Sequence, residues 1–141
     1  MNTEKTLYST SATVRGGRAG TVTSDDGRLT LTLSVPTAVG GPGGDGTNPE
    51  QLFAAGYAAC FQSALGLVGR RAHIDTSDST ITGTVGLLPN GSGGYKLSVK
   101  LAVVLPGLDR EIGERLLEQA HQVCPYSNAV HGNINVDLSL V

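Results

Sequence analysis

Apolar and polar residues alternate in two segments near the start of the chain, a pattern typical of half-buried β-strands. Residues 8–14 and 29–35 follow it, and the turn formers at 25–27 precede the second segment. The two segments are therefore interpreted as half-buried antiparallel strands.

Three more alternating segments lie in the second half of the chain. Residues 81–87 and 97–105 predict two strands, and the glycine-rich stretch 89–94 between them predicts a flexible hairpin loop. Residues 134–140 predict the last strand.

A long helix is predicted between the two groups of strands. Asn48 can cap it, Pro49 suits the first helical position, and Glu50 faces the positive end of the helix dipole. The helix is expected to run from about 48 to about 71, and residues 52–68 carry no charge. A helix that is apolar around most of its circumference is central and enclosed in a soluble protein. Because one chain has little material to enclose it, we infer a homodimer in which such helices are sandwiched.

A second, amphipathic helix is predicted nearer the C-terminus, with Asp109 as its cap. Its apolar residues recur at spacings of three and four: Ile112, Leu116, Ala120 and Val123. With 141 residues, the whole chain, 1–141, is expected to form a single domain.

Composition excludes several classes of function. A net charge of −2 without a basic run argues against nucleic-acid and anionic-membrane partners. The polar N-terminus lacks the apolar region of a signal peptide, and no stretch approaches about 18 uninterrupted apolar residues. A cytoplasmic protein is expected, and in that compartment two cysteines more often form a transient disulfide than a static one.

Cys60 lies on one face of the long helix, in an aromatic and apolar stripe. That face carries Glu50, Phe53, Tyr57, Cys60, Ala64 and Leu67. Free cysteine is often a small buried hydrophobe, and this structural interpretation stays open for Cys60 taken alone.

Cys124 makes thiol chemistry a stronger hypothesis. It ends the second helix, and Pro125 can open a further helical turn whose backbone N–H groups would lower the pKa of the thiol. The two cysteines could approach disulfide geometry, but the sequence leaves that approach open.

Two other chemistries are weaker. A structural zinc would need four ligands, and only Cys60, His121 and Cys124 are candidates, so no metal or bound cofactor is expected. A cysteine hydrolase would use His121 as the base for Cys60, but no orienting third group is evident.

Three strings resemble the organic hydroperoxide resistance (Ohr) branch of the OsmC/Ohr superfamily. They are GGDGTNPEQLFAAGYAACF at 43–61, VCPYSN at 123–128 and GGR at 16–18. Arg18 after two glycines favours this branch over the OsmC branch, whose arginine is placed differently. The resemblance implies an α+β fold in an intertwined homodimer.

The resemblance also implies a thiol peroxidase that acts on alkyl and fatty-acid hydroperoxides in oxidative-stress defence. Cys60 matches the peroxidatic cysteine, Cys124 the resolving cysteine, and Arg18 and Glu50 their partners. An external dithiol of the lipoyl type, such as dihydrolipoamide, would be the reductant. The alternative is a redox sensor or binding protein that uses the same two cysteines.

Each implied role has a physical reason. Attack on a peroxide needs a thiolate, which Arg18 can stabilise while Glu50 holds the guanidinium in a bidentate pair. Glu50 and Cys60 are ten residues apart, or about 15 Å along one helix. Either the helix breaks near Gly56, or the residues of one site come from two subunits. We predict that Cys60 and Cys124 of one chain meet Arg18 and Glu50 of the other.

An apolar substrate tail is expected to contact aromatic side chains near Cys60. The candidates are Phe53, Tyr57 and Phe61. This stripe would favour alkyl or lipid hydroperoxides over hydrogen peroxide, although each of these side chains is also suited to core packing.

Overall fold

The computed structural model describes residues 4–141, which form two compact units that meet in sequence at Pro49 and Glu50. The first unit contains one antiparallel sheet in the order β1-β2-β3. Its strands are β1 (Ala12–Arg15), β2 (Thr21–Ser24) and β3 (Thr30–Thr32). The prediction of one domain over 1–141 is not tested by this division and stays a prediction.

The strands of the first unit are shorter and more exposed than the alternation predicted. All four residues of β1 are exposed, and over the described part of the first unit, residues 4–49, the only buried hydrophobic side chains are Val22 and Leu33. The sequence pattern missed β2, because Val22 is its only apolar residue between threonines. The prediction that residues 8–14 are half-buried is wrong for the single chain, in which Tyr8 and Val14 are exposed.

The second unit contains three helices and a second sheet. Its elements are α1 (Pro49–Arg71), β4 (Thr80–Pro89), β5 (Tyr95–Val104), α2 (Arg110–Val123), α3 (Pro125–Val130) and β6 (Asp137–Leu140). β4 and β5 form the predicted antiparallel hairpin, while β6 joins the other edge of β5 in parallel. The α+β class with a long central helix is confirmed, and the sheets are antiparallel except for the parallel pair of β5 and β6.

One hydrophobic core lies within the second unit, between α1, α2 and β5. Its fully buried side chains include Tyr57 and Phe61 from α1 and Leu101 and Val103 from β5. Gly83 in β4 permits a close approach to α1, because a Cβ atom there would lie 3.0 Å from the carbonyl oxygen of Ala54.

Helix α1 is continuous over 23 residues, as predicted, and it carries the side chains around which the site is built. By its length and mean hydropathy alone, α1 is long and apolar enough to cross a membrane, although polar residues interrupt its apolar stretch. A core helix of a soluble protein meets the same criterion, and α1 contributes Tyr57, Phe61 and Leu65 to the core. Yet only 33% of its most apolar window is buried within this chain.

Candidate active site

The two cysteines lie in contact. Cys60, in the middle of α1, is partly exposed, whereas Cys124 is fully buried between α2 and α3. Their Sγ atoms are 3.6 Å apart and both are free thiols. The structure thus brings together two sulfurs that are 64 residues apart in the sequence.

The position of Cys124 follows from its place at a helix junction. Its N–H donates to the carbonyl of Ala120 and closes α2, and its own carbonyl accepts from the N–H of Asn128 in α3. Its extended backbone, with φ −61° and ψ 123°, is what a residue before proline prefers, and Pro125 then opens α3. Cys124 is therefore held by the backbone of two helices.

Opposing influences act on the Cys60 thiol. Burial raises its pKa most strongly, because the thiolate is poorly solvated there. The backbone N–H of Tyr126, in the first turn of α3, donates to the sulfur and lowers the pKa. Cys124 raises it again through its hydrogen bond and its charge. Together these groups raise the pKa of Cys60 above that of an ordinary thiol.

Three aromatic rings stand beside the thiols. Tyr126 packs against Phe53 with ring centroids 6.1 Å apart and against Tyr57 at 5.6 Å. Tyr126 is 38% exposed and Phe53 is partly exposed, whereas Tyr57 and Phe61 have no exposed surface. The expected substrate contacts of Tyr57 and Phe61 are therefore corrected: both side chains belong to the core and offer no surface to a ligand.

Sequence reasoning missed Tyr126 as a candidate. Its hydroxyl lies over Gly56 of α1, where a Cβ atom would come within 2.5 Å of the tyrosine oxygen. The signal available in the sequence was an aromatic residue two positions after Cys124. Gly56 thus provides space for Tyr126 and does not break the helix, so the alternative of a helix break near Gly56 is excluded.

A hydrogen-bonded chain of three side chains runs beside the thiols. The hydroxyls of Tyr57 and Ser127 are 2.7 Å apart, and Ser127 Oγ lies 2.9 Å from His121 Nδ1. Burial raises the pKa of Tyr57, while the hydrogen bond to Ser127 lowers it. His121 therefore bonds a serine through Nδ1, and this contact does not form the cysteine–histidine pair of a hydrolase.

The other two predicted residues are Arg18, in the first unit, and Glu50, in the second. Arg18 is exposed in a 3-10 turn (Gly17–Ala19) of the first unit, and Gly16 and Gly17 before it have positive φ. Glu50 lies in the first turn of α1, and the unbroken helix keeps it away from Cys60 of the same chain. Among residues 4–141, no cluster of three or more His, Cys, Asp or Glu side chains could hold a metal ion.

Comparisons with known proteins agree with this architecture. Residues 41–139 match the OsmC-like protein family. The organic hydroperoxide resistance protein of Xanthomonas axonopodis pv. citri (strain 306) is 48% identical over 140 residues, which cover 97% of this chain and 96% of that protein.

Two crystal structures share both fold and sequence. The organic hydroperoxide resistance protein OhrB of Bacillus subtilis is 47% identical with a TM-score of 0.88, over 96% of this chain and 100% of that one. An organic hydroperoxide resistance protein from Elizabethkingia anophelis is 50% identical with a TM-score of 0.92, over 97% and 98%. The chain therefore belongs to the OsmC-like protein family, in its organic hydroperoxide resistance branch.

Proposed function

We propose that this protein is a thiol peroxidase that reduces organic hydroperoxides to alcohols. The Cys60 thiolate attacks the outer peroxide oxygen, the O–O bond breaks, and the alkoxide takes a proton to leave as alcohol. Cys60 is then a sulfenic acid. Cys124 displaces its oxygen: an S–S bond forms, the S–O bond breaks, and the hydroxyl leaves as water with the Cys124 proton.

The sulfur–sulfur contact carries this proposal. At 3.6 Å, Cys124 is close enough to attack a sulfenic acid on Cys60, and the sulfurs must approach by roughly 1.5 Å to reach bonding distance. The partly exposed cysteine suits the role of meeting the peroxide, and the buried one suits the role of resolving the intermediate.

The partly exposed aromatic side chains suit an apolar substrate. Phe53 and Tyr126 would contact the organic tail, with Tyr57 and Phe61 behind them. Burying a tail here would favour alkyl and fatty-acid hydroperoxides over hydrogen peroxide, which has no tail to bury.

A cation must offset the influences that raise the pKa of Cys60. We assign this role to Arg18, positioned by Glu50, with both residues supplied by the second subunit of a homodimer. The unbroken helix supports a contribution in trans, because it separates Glu50 from Cys60 within one chain.

Exposed apolar surface supports the dimer. In the first unit Leu7 is 98% exposed and Tyr8 78% exposed, and Ala55 and Ala59 are exposed on α1. Large exposed apolar side chains, and a long apolar helix that is only partly buried, are each typical of surfaces that another chain covers.

The reductant is proposed to be an external dithiol of the lipoyl type, such as dihydrolipoamide. A dithiol opens the Cys60–Cys124 disulfide and then closes its own ring, so both protein thiols are restored without a bound cofactor. The protein would act in the cytoplasm, in defence against oxidative stress.

Steady-state kinetics test the function. Wild type, Cys60→Ser and Cys124→Ser are each given an alkyl hydroperoxide or hydrogen peroxide, with dihydrolipoamide or glutathione as reductant. We expect wild type to consume the alkyl substrate faster and with the dithiol only, and Cys60→Ser to be inactive. One oxidation without turnover under either reductant would reject the peroxidase and favour the redox-sensing or binding alternative.

A further inference from the structure

We propose that Ser127 and His121 are positioning residues for closure of the Cys60–Cys124 disulfide, and that they act through the hydrogen-bonded bridge to Tyr57. This inference rests on the proposed function. It concerns the second chemical step, in which the sulfenic acid on Cys60 is converted to a disulfide.

The bridge joins the same helices as the sulfurs, one helical turn away. Tyr57 lies three residues before Cys60 on α1, and Ser127 lies three residues after Cys124 on α3. The hydroxyl contact of 2.7 Å is therefore a second link beside the sulfur contact of 3.6 Å. Any change in the spacing of α1 and α3 alters both distances together.

The hydrogen bond between Tyr57 and Ser127 is buried away from water. Tyr57 has no exposed surface and Ser127 is 3% exposed, so water does not replace either partner. Removing one hydroxyl would leave the other buried without its partner, which costs more than losing an exposed hydrogen bond.

His121 extends the link to the third helix. It lies one turn before Cys124 on α2, and its Nδ1 contacts the same Ser127 oxygen at 2.9 Å. A serine hydroxyl has one proton and two lone pairs, so Ser127 donates to at most one of these two neighbours and accepts from the other. One side chain thus ties α1, α2 and α3 together around the residue that must move toward Cys60.

The sulfurs still have to close a short distance, and Cys124 is fixed in the backbone of two helices. If the junction of α2 and α3 were more mobile, Cys124 would also occupy positions from which it does not reach the sulfenic acid. The bridge restricts that spread, which lowers the entropy cost of bringing the reacting atoms together.

The experiment separates the two chemical steps. Reduced protein is mixed with one equivalent of an alkyl hydroperoxide, quenched at successive times and analysed by mass spectrometry for sulfenic acid and disulfide. Ser127→Ala and His121→Leu should slow disulfide closure about tenfold relative to the preceding oxidation of Cys60, the size expected for one hydrogen bond. His121→Asn, which places a polar atom near the position of Nδ1, should restore closure.

His131→Asn is the matched control, because His131 lines the same pocket as His121 and Ser127 but lies outside the bridge. It should leave both rates at the wild-type value. If Ser127→Ala does not fold, the pair His121→Leu and His121→Asn decides. Wild-type closure in folded His121→Leu overturns the inference, whereas failure of wild-type Cys60 to be oxidised overturns the proposed function instead.

Discussion

The reactivity of Cys60 depends on a balance between groups that raise its pKa and groups that lower it. Within its own unit, burial and Cys124 raise the pKa of the Cys60 thiol, and the backbone N–H of Tyr126 lowers it. A thiol with a raised pKa is less ionised at neutral pH, so its reaction with an alkylating reagent speeds up only at higher pH.

Two substitutions should shift the pH dependence of Cys60 alkylation in opposite directions. Cys124→Ala removes a group that raises the pKa, so the alkylation profile of Cys60 should move to lower pH. Arg18→Gln removes the proposed cation, so the profile should move to higher pH by about one unit. Iodoacetamide labelling over a pH series, followed by mass spectrometry, measures both shifts.

Arg15→Gln provides the charge-matched control, since Arg15 is exposed in β1 of the same unit. It should leave the profile unchanged. Equal profiles for Arg18→Gln and Arg15→Gln would show that Arg18 does not act on the Cys60 thiolate.

Sequence patterns can identify reactive residues more readily than their contacts. The surroundings of Cys60 and Cys124 marked them as candidates, and the structure places their sulfurs together. The contact of Tyr57 with Ser127 spans 70 residues and has no periodic signature, so only the folded chain reveals it. Burial was equally hidden, which is why Tyr57 and Phe61 looked like substrate contacts.

At the scale of elements, helix boundaries were predictable because local chemistry determines them. Asn48 and Pro49 marked the start of α1, and Pro125 marked the opening of α3. The first sheet was less predictable, because short strands such as β2 are formed by pairing with neighbours rather than by their own pattern.

The absence of a side chain at Gly56 on α1 leads to a prediction about substrate binding. Gly56→Ala should stabilise the helix by up to about 1 kcal/mol, but its Cβ would displace the Tyr126 ring from its place beside Phe53. The KM for a long-chain hydroperoxide should therefore rise more than the KM for hydrogen peroxide. Steady-state kinetics and thermal unfolding measure the two effects.

Gly66→Ala is the control on the same helix. A Cβ atom there would meet only the end of the Arg70 side chain, at 3.3 Å, which can move away. It should raise thermal stability without changing either KM. If Gly56→Ala behaves in the same way, Tyr126 does not contact the substrate tail.

At the scale of the whole molecule, the proposed dimer makes a prediction about mixed subunits. Cys60→Ser and Arg18→Gln should each be inactive as homodimers. Unfolding and refolding them together should recover about a quarter of wild-type activity, because half of the dimers are mixed and each mixed dimer has one intact site. Peroxide turnover before and after mixing measures the recovery.

The mass in solution should be twice the 14.5 kDa of one chain, as light scattering would measure. No recovery from a verified mixture would place Cys60 and Arg18 of each site in the same chain. A monomeric wild type would remove the basis for shared sites altogether.

The unequal burial of the two cysteines determines which sulfur an incoming thiol can attack. Cys60 is partly open to solvent and Cys124 is sealed inside the fold. If the proposed Cys60–Cys124 disulfide forms, an incoming thiolate should therefore attack it at Cys60, with Cys124 as the leaving sulfur. In the proposed cycle the mixed disulfide with the reductant would consequently form on Cys60, the residue that also meets the peroxide, so oxidant and reductant would compete for the same access route.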